Sequence, residues 1–154
     1  MSEYVPSLEL FEDTYDELHP LYMQHYAEMT ARLAAEGIPM SPYAPRLDQY
    51  CQASLGGWLL NFVLRLDGKA VGYSNIYITN DMHNCDLIAQ EDTIYVLPEH
   101  RNGAGRKLAR FIYEELKRRQ VKRLQVDTTT DLRVHKWLAR QGYKHTAHRM
   151  TLTF

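Results

Sequence analysis

Residues 88–116 change their repeat twice within a short span, and few folds accept that change. Ile88–Leu97 alternates apolar and polar side chains, as a half-buried strand does. Pro98 closes the strand and a glycine loop follows over His100–Gly105. Leu108, Phe111, Ile112 and Leu116 then recur at helical spacing. A strand that feeds a glycine loop and then a helix aims loop amides and the helix N-terminus at one spot, which suits an anion. Gly103 and Gly105 let the backbone approach a phosphate with no Cβ in the way. Two common phosphate loops do not fit: no Gly-Lys-Ser/Thr ending is present, and no dinucleotide fingerprint with a later acidic residue.

The flanking segments extend this into an α/β pattern. Leu8–Phe11 reads as a short strand. Asp13 offers a cap for a helix whose apolar stripe runs through Leu18, Leu21, Tyr22, His25, Met29 and Leu33. Pro20 belongs in or near the first turn of that helix or divides it in two. Gly37-Ile38-Pro39 ends it, and Leu47–Leu55 forms a shorter helix stopped by Gly56-Gly57. Trp58–Leu66 and Ala70–Thr79 flank Asp67-Gly68, a hairpin signal. Beyond the glycine-loop helix, Val121–Asp127 reads as a strand, Asp131–Gln141 as a helix ended by Gly142, and His145–Phe154 as a last strand. The order β-α-α-β-β-β-α-β-α-β implies an α/β fold, a mixed sheet with helices on both faces. No repeat or linker interrupts the 154 residues, so residues 1–154 read as a single domain.

Composition narrows the class. With 45% hydrophobic and 24% charged residues, the chain has the balance of a packed globule. No apolar run reaches the ~20 residues of a membrane span, and Met1-Ser2-Glu3-Tyr4 lacks the regions of a signal peptide. Cys51 and Cys85 are the only cysteines, so a reducing, cytoplasmic setting with unpaired thiols is expected. The net charge of −1 hides an asymmetry of −11 over residues 1–99, +7 over 100–123 and +3 over 124–154. The basic block suits phosphates, while the acidic remainder argues against nucleic acid as a partner.

Three short motifs sharpen the pattern: Val96-Leu97-Pro98 at a strand end, Gly103-Ala104-Gly105 in the loop, and Gln141-Gly142-Tyr143 after the last helix. Together with the element order, they resemble the GNAT superfamily of N-acetyltransferases over nearly the whole chain. A narrower resemblance is to GNAT-like proteins encoded in phage and prophage genomes, through His25 and Glu28 on the first helix and His83 before the fourth strand. The resemblance implies a fold that binds acetyl-coenzyme A and passes its acetyl group directly to a primary amine, with no metal. Tyr95, Val96, Leu97, Arg101, Asn102, Gly103, Ala104, Gly105, Arg106 and Asp131 are the implied cofactor contacts. The acceptor is then a small-molecule amine or a protein lysine, and a homodimer is compatible with the fold.

Departures from the family pattern fall at cofactor-binding and catalytic positions. His100 stands where the loop usually begins with Arg or Gln, and Asp131 replaces a common Asn. Leu138 occupies the place of the tyrosine that protonates the departing thiolate, which leaves Tyr95 or a water for that task. Glu91 and Asp92, in the strand leading to Val96, are the candidate bases for the amine, and alternation sets them on opposite faces with Asp92 beside Ile94 and Val96. His83 is a candidate cleft residue. His83-Asn84-Cys85 lacks the second cluster that a zinc site needs. The acidic first two-thirds, including Asp16, Glu17, Glu28, Glu36, Asp81 and Asp86, suggests a cationic acceptor. Two rivals share the fold: a coenzyme-binding protein that has lost catalysis, and a nucleic-acid adaptor using residues 100–123.

Overall fold

The computed structural model describes residues 3–128 and 132–154, without the side chain of Leu132. Five strands form one sheet in sequence order: β1 Tyr4–Glu9, β2 Leu59–Leu66, β3 Lys69–Asn80, β4 Leu87–Val96 and β5 Arg123–Gln125. The first four pair antiparallel, and β5 joins β4 in parallel. The helices are α1 Phe11–Ala35, α2 Leu47–Leu55, α3 Ala104–Arg118 and α4 Leu132–Arg140.

Two cores lie on opposite faces of the sheet. Leu60, Phe62, Leu64 and Ile76 pack against Leu108, Ile112 and Leu116 of α3. Leu59, Val63, Tyr73 and Tyr95 pack against Phe11, Leu18, Leu21 and Tyr22 of α1 and Ala53 of α2. Asp67-Gly68 turns β2 into β3, with both residues at positive φ. Pro20 lies inside α1 without ending it. That helix begins at Phe11, ahead of Asp13. Its first amide is capped by the Ser54 hydroxyl of α2 at 2.9 Å, so the cap comes from another element.

Two features depart from the expected pattern. The β3–β4 register slips between Asn75 and Ile76, where Thr93 faces Asn75 and Glu91 faces Ile76. Asp92 is therefore an extra residue, a bulge that resets which side chains share a face. The expected strand His145–Phe154 does not form: residues 143–154 have no regular secondary structure. Met150, Leu152 and Phe154 alternate, yet they are exposed. An alternating segment becomes a strand only against a partner, and β5 offers three residues.

Candidate active site

Strand pairing opens at the end of β4. The β4–β5 ladder stops at Gln90↔Gln125, so among the described residues Glu91–Val96 has no strand on that side. The backbone then passes a short 3-10 turn, Pro98–His100, and the glycine loop into α3. Gly72 lets β3 lie close beneath this exit, because a Cβ there would meet the Tyr95 carbonyl at 2.9 Å. In the loop, the amides of His100, Arg101 and Arg106 bond to nearby carbonyls. Those of Asn102, Gly103, Ala104 and Gly105 donate to no group among the described residues. Gly103 holds φ +110°, which favours glycine, and nothing lies within 4 Å of a Cβ at Gly103 or Gly105. Four consecutive free amides, open space over both glycines and the positive end of a 15-residue helix make a place for a phosphate group. Arg106 and Arg110, one turn apart on α3, are exposed and unpaired among the described residues. Coenzyme A therefore fits this loop on the chemistry of its donors. Asp131 lies outside the described residues.

Much of the remaining basic block is already neutralised. Arg118 and Arg119 pair with Glu115, Lys117 with Glu114, Lys107 with Glu3, and Arg123 with Asp81 and Asp86. His100 meets the Tyr4 hydroxyl through Nδ1 at 3.0 Å. Arg101 turns away from the loop. Its Nε donates to the Val96 carbonyl at 2.8 Å and its Nη2 to Glu28 at 3.0 Å.

On the opposite face, α1, α2 and the loop after α1 form the walls of a cleft with room for water over about 80 Å³. Phe11, Tyr22, His25, Tyr26, Tyr43, Tyr50 and Tyr73 line it, with Asn75 and Thr93 from the sheet. His25 is buried, stacks on Tyr95 at 4.8 Å, and shares a 2.7 Å hydrogen bond with the Tyr73 hydroxyl. Burial lowers its pKa to about 4, so the imidazole is neutral. Tyr95 donates to Glu28 at 2.6 Å, and burial with that carboxylate raises its phenol. Tyr50 donates to Asp92 at 2.8 Å. Desolvation raises the Asp92 carboxyl from its ordinary value against that hydrogen bond, although the residue keeps an exposed face.

The bulge assigns the two strand carboxylates differently from strict alternation. Asp92 joins Tyr95 on the cleft side, where Tyr50 and Glu28 are their partners. Glu91 joins Ile94 on the α3/α4 side, in a second hollow with Tyr113, Trp137, Leu138 and Tyr143. Burial pushes the Glu91 carboxyl up to about 8, opposed by the Asp127 amide. Leu138 is buried beside it as a core residue. Val96 and Leu97 pack at the edges of the two cores. His83 lies exposed in the β3–β4 turn and bonds to Asp81. That turn precedes Leu87, nine residues along β4 from Val96 or about 30 Å of strand. It is not brought together with the other candidates. No His/Cys/Asp/Glu group able to hold a metal occurs among the described residues.

The sequence profile of the acetyltransferase (GNAT) family matches residues 11–143. The chain belongs to that family. Its fold is shared with a ribosomal-protein-alanine N-acetyltransferase from Brucella melitensis biovar Abortus 2308, at TM-score 0.72 and 18% identity, over 99% of this chain and 97% of that one. A GCN5-related N-acetyltransferase from Ralstonia eutropha JMP134 gives TM-score 0.74 and 17% identity over 99% of both chains. The aminoglycoside enzyme AAC(6')-Iy, solved with a bisubstrate analogue of coenzyme A and monomethyl-acetylneamine, gives 0.70 and 16% over 99% of this chain and 98% of that one. No curated protein sequence matches this GNAT chain.

Proposed function

We propose that residues 1–154 act as one GNAT domain that transfers an acetyl group from acetyl-coenzyme A to a primary amine. The reading rests on one observation: the unpaired edge of β4 runs directly into four free loop amides at the head of α3. Asn102, Gly103, Ala104 and Gly105 hold the pyrophosphate, and Arg106 adds charge. Acetyl-coenzyme A supplies the acetyl group and departs as its thiol. The aromatic cleft, which approaches β4 from the other face, takes the amine.

The two carboxylates divide the proton chemistry. At neutral pH the free amine is mostly ammonium, so one proton must leave before its lone pair can attack. Asp92 lies on the cleft side against Tyr50, pairs with no cation among the described residues, and accepts that proton. Glu91 faces the other side and keeps its own proton at neutral pH, which suits it to return one to the departing sulfur in place of the missing tyrosine. Adjacent groups whose surroundings set them to opposite tasks are a recurring acid–base arrangement. A lost catalytic function remains the second reading, favoured by Leu138.

The charge pattern supports a narrower acceptor class than net charge alone suggests. Glu17, Glu28, Glu36, Asp81 and Asp86 are paired with arginines, Asp16 lies exposed on α1, and Asp92 lies on the cleft side against Tyr50. One anionic group among tyrosines suits a single amine carried on a ring or short chain. The likeness to phage-encoded GNAT proteins rests on His25, Glu28 and His83 alone. Calorimetric titration with coenzyme A, followed by thiol release on aminoglycosides, polyamines, amino acids and lysine peptides, tests the reading. Absence of coenzyme A binding overturns it, and binding without turnover on any amine favours the second reading.

A further inference from the structure

Three buried oxygens on the cleft floor have no hydrogen-bond partner: the Tyr22 hydroxyl, Asn75 Oδ1 and Thr93 Oγ1. Tyr22 is 6% exposed and Asn75 2% exposed, so neither group reaches bulk water. The Asn75 amide is within hydrogen-bonding influence of the Tyr22 phenol and lowers it against the larger upward pull of burial, but the pair falls short of full hydrogen-bond geometry and leaves Tyr22 Oη and Asn75 Oδ1 unsatisfied. Asn75 and Thr93 are register partners across β3 and β4, so their side chains stand side by side on one face. Thr93 follows the Asp92 bulge directly. Two other unpaired groups, Asn61 Oδ1 and the Glu12 carboxylate, are not among the cleft's lining residues.

A buried polar atom without a partner is destabilising, and native structures keep few of them. Three that line one cleft call for a ligand rather than three separate accidents. Each is an oxygen that can accept. A primary ammonium has three N–H donors and no acceptor, so it can donate to oxygens of this set and still turn one N–H toward Asp92, which takes that proton. A secondary amine satisfies fewer of them, and a quaternary ammonium satisfies none. Resting on the proposed acetyl transfer, we propose that Tyr22, Asn75 and Thr93 form the subsite for the acceptor's primary ammonium group, with the Asp92 bulge beside it.

The oxygens are closed to water in the free protein, so entry of the group requires a small movement of the tyrosines around them. The test is a pair of readouts that a packing role would not give together. Tyr22→Phe and Thr93→Val remove an unpaired atom and keep most of the shape, so both variants should melt at the wild-type temperature or above it. Sisomicin and spermidine should raise the melting temperature of the wild type, while tetramethylammonium should not. In either variant the apparent affinity for those amines should fall on the order of tenfold or more, with coenzyme A affinity unchanged. Variants that melt several degrees lower, amine shifts that survive both substitutions, or no amine shift in the wild type would each overturn the subsite. Failure of coenzyme A to bind would instead strike the acetyltransferase reading, because the amine shifts need no coenzyme.

Discussion

Arg101 belongs to the glycine loop, yet it gives its guanidinium to Glu28 on α1 at 3.0 Å, across the ring of Tyr95. The same Glu28 carboxylate accepts the Tyr95 hydroxyl. On the proposed placement, a phosphate arriving at the Asn102–Gly105 amides would compete with Glu28 for that cation. Glu28→Gln should therefore tighten coenzyme A binding, roughly two- to fivefold for an ion pair this exposed. Arg101→Ala should weaken it, and the double variant should match Arg101→Ala. Calorimetry on the four proteins decides between competition and a fixed strut, since a strut predicts unchanged or weaker binding for Glu28→Gln.

Gly105 offers a cleaner probe of the loop than Gly103. Nothing lies within 4 Å of a Cβ at Gly105, and its φ is not positive. Gly105→Val should leave the melting temperature within a few degrees of wild type and still weaken coenzyme A severely. Gly103→Val adds strain at φ +110° and should lose stability as well. Equal coenzyme A affinity in folded Gly105→Val would displace the phosphate site from this loop.

The strand–loop–helix and the hairpin were legible because each depends on neighbours in sequence: alternation, Asp67-Gly68, and helical spacing from Leu108 to Leu116. The bulge was not. A strict period of two put Asp92 beside Ile94 and Val96, while the register slip moves it to the face of Tyr95. Only the pairing of two strands determines such a slip. The same limit hid the partners of the carboxylates. Glu28 and Arg101 are 73 residues apart, and Tyr50 and Asp92 are 42 apart. His25 and Glu28 were visible as a helical pair, but nothing local tells that one stacks on Tyr95 and the other holds Arg101. The last expected strand differs for the opposite reason, since Met150, Leu152 and Phe154 carry the right period with no strand partner among the described residues.

Glu91 should leave a mark on stability that activity cannot give. Its carboxyl moves from 4.5 to about 8 on folding, so the folded protein holds this proton more tightly than the unfolded chain. That contribution is full below about pH 4.5 and disappears as pH rises through 8. Glu91→Gln stays neutral throughout. Its melting temperature should gain on wild type by several °C between pH 5 and 8, since tenfold in proton affinity is about 1.4 kcal/mol and 1 kcal/mol is roughly 2–4 °C at this size. Parallel pH-dependent melts of the two proteins would reverse the assignment of Glu91 as a buried acid.

The same pair of carboxylates makes the sharpest statement about chemistry. As the proposed base, Asp92 would work only when ionised, so kcat should fall at low pH as it protonates, at a pH raised by the desolvation of its carboxyl. As the proposed acid, Glu91 would work only when protonated, so kcat should fall again at high pH near its value of about 8. The profile is then a bell, and its limbs belong to the coupled pair. Asp92→Asn should remove the acidic limb and lower kcat by ~10²–10⁴-fold, the usual worth of a positioned base. Glu91→Gln should remove the alkaline limb while leaving the acidic one. Tyr50→Phe takes away the hydrogen bond to Asp92 and should shift the acidic limb to higher pH, because that bond favours the ionised form. These profiles need an amine that is turned over, measured at saturating acetyl-coenzyme A. A bell that persists in Glu91→Gln would remove it as the acid. An acidic limb that persists in Asp92→Asn would leave the proton to a group outside the bulge.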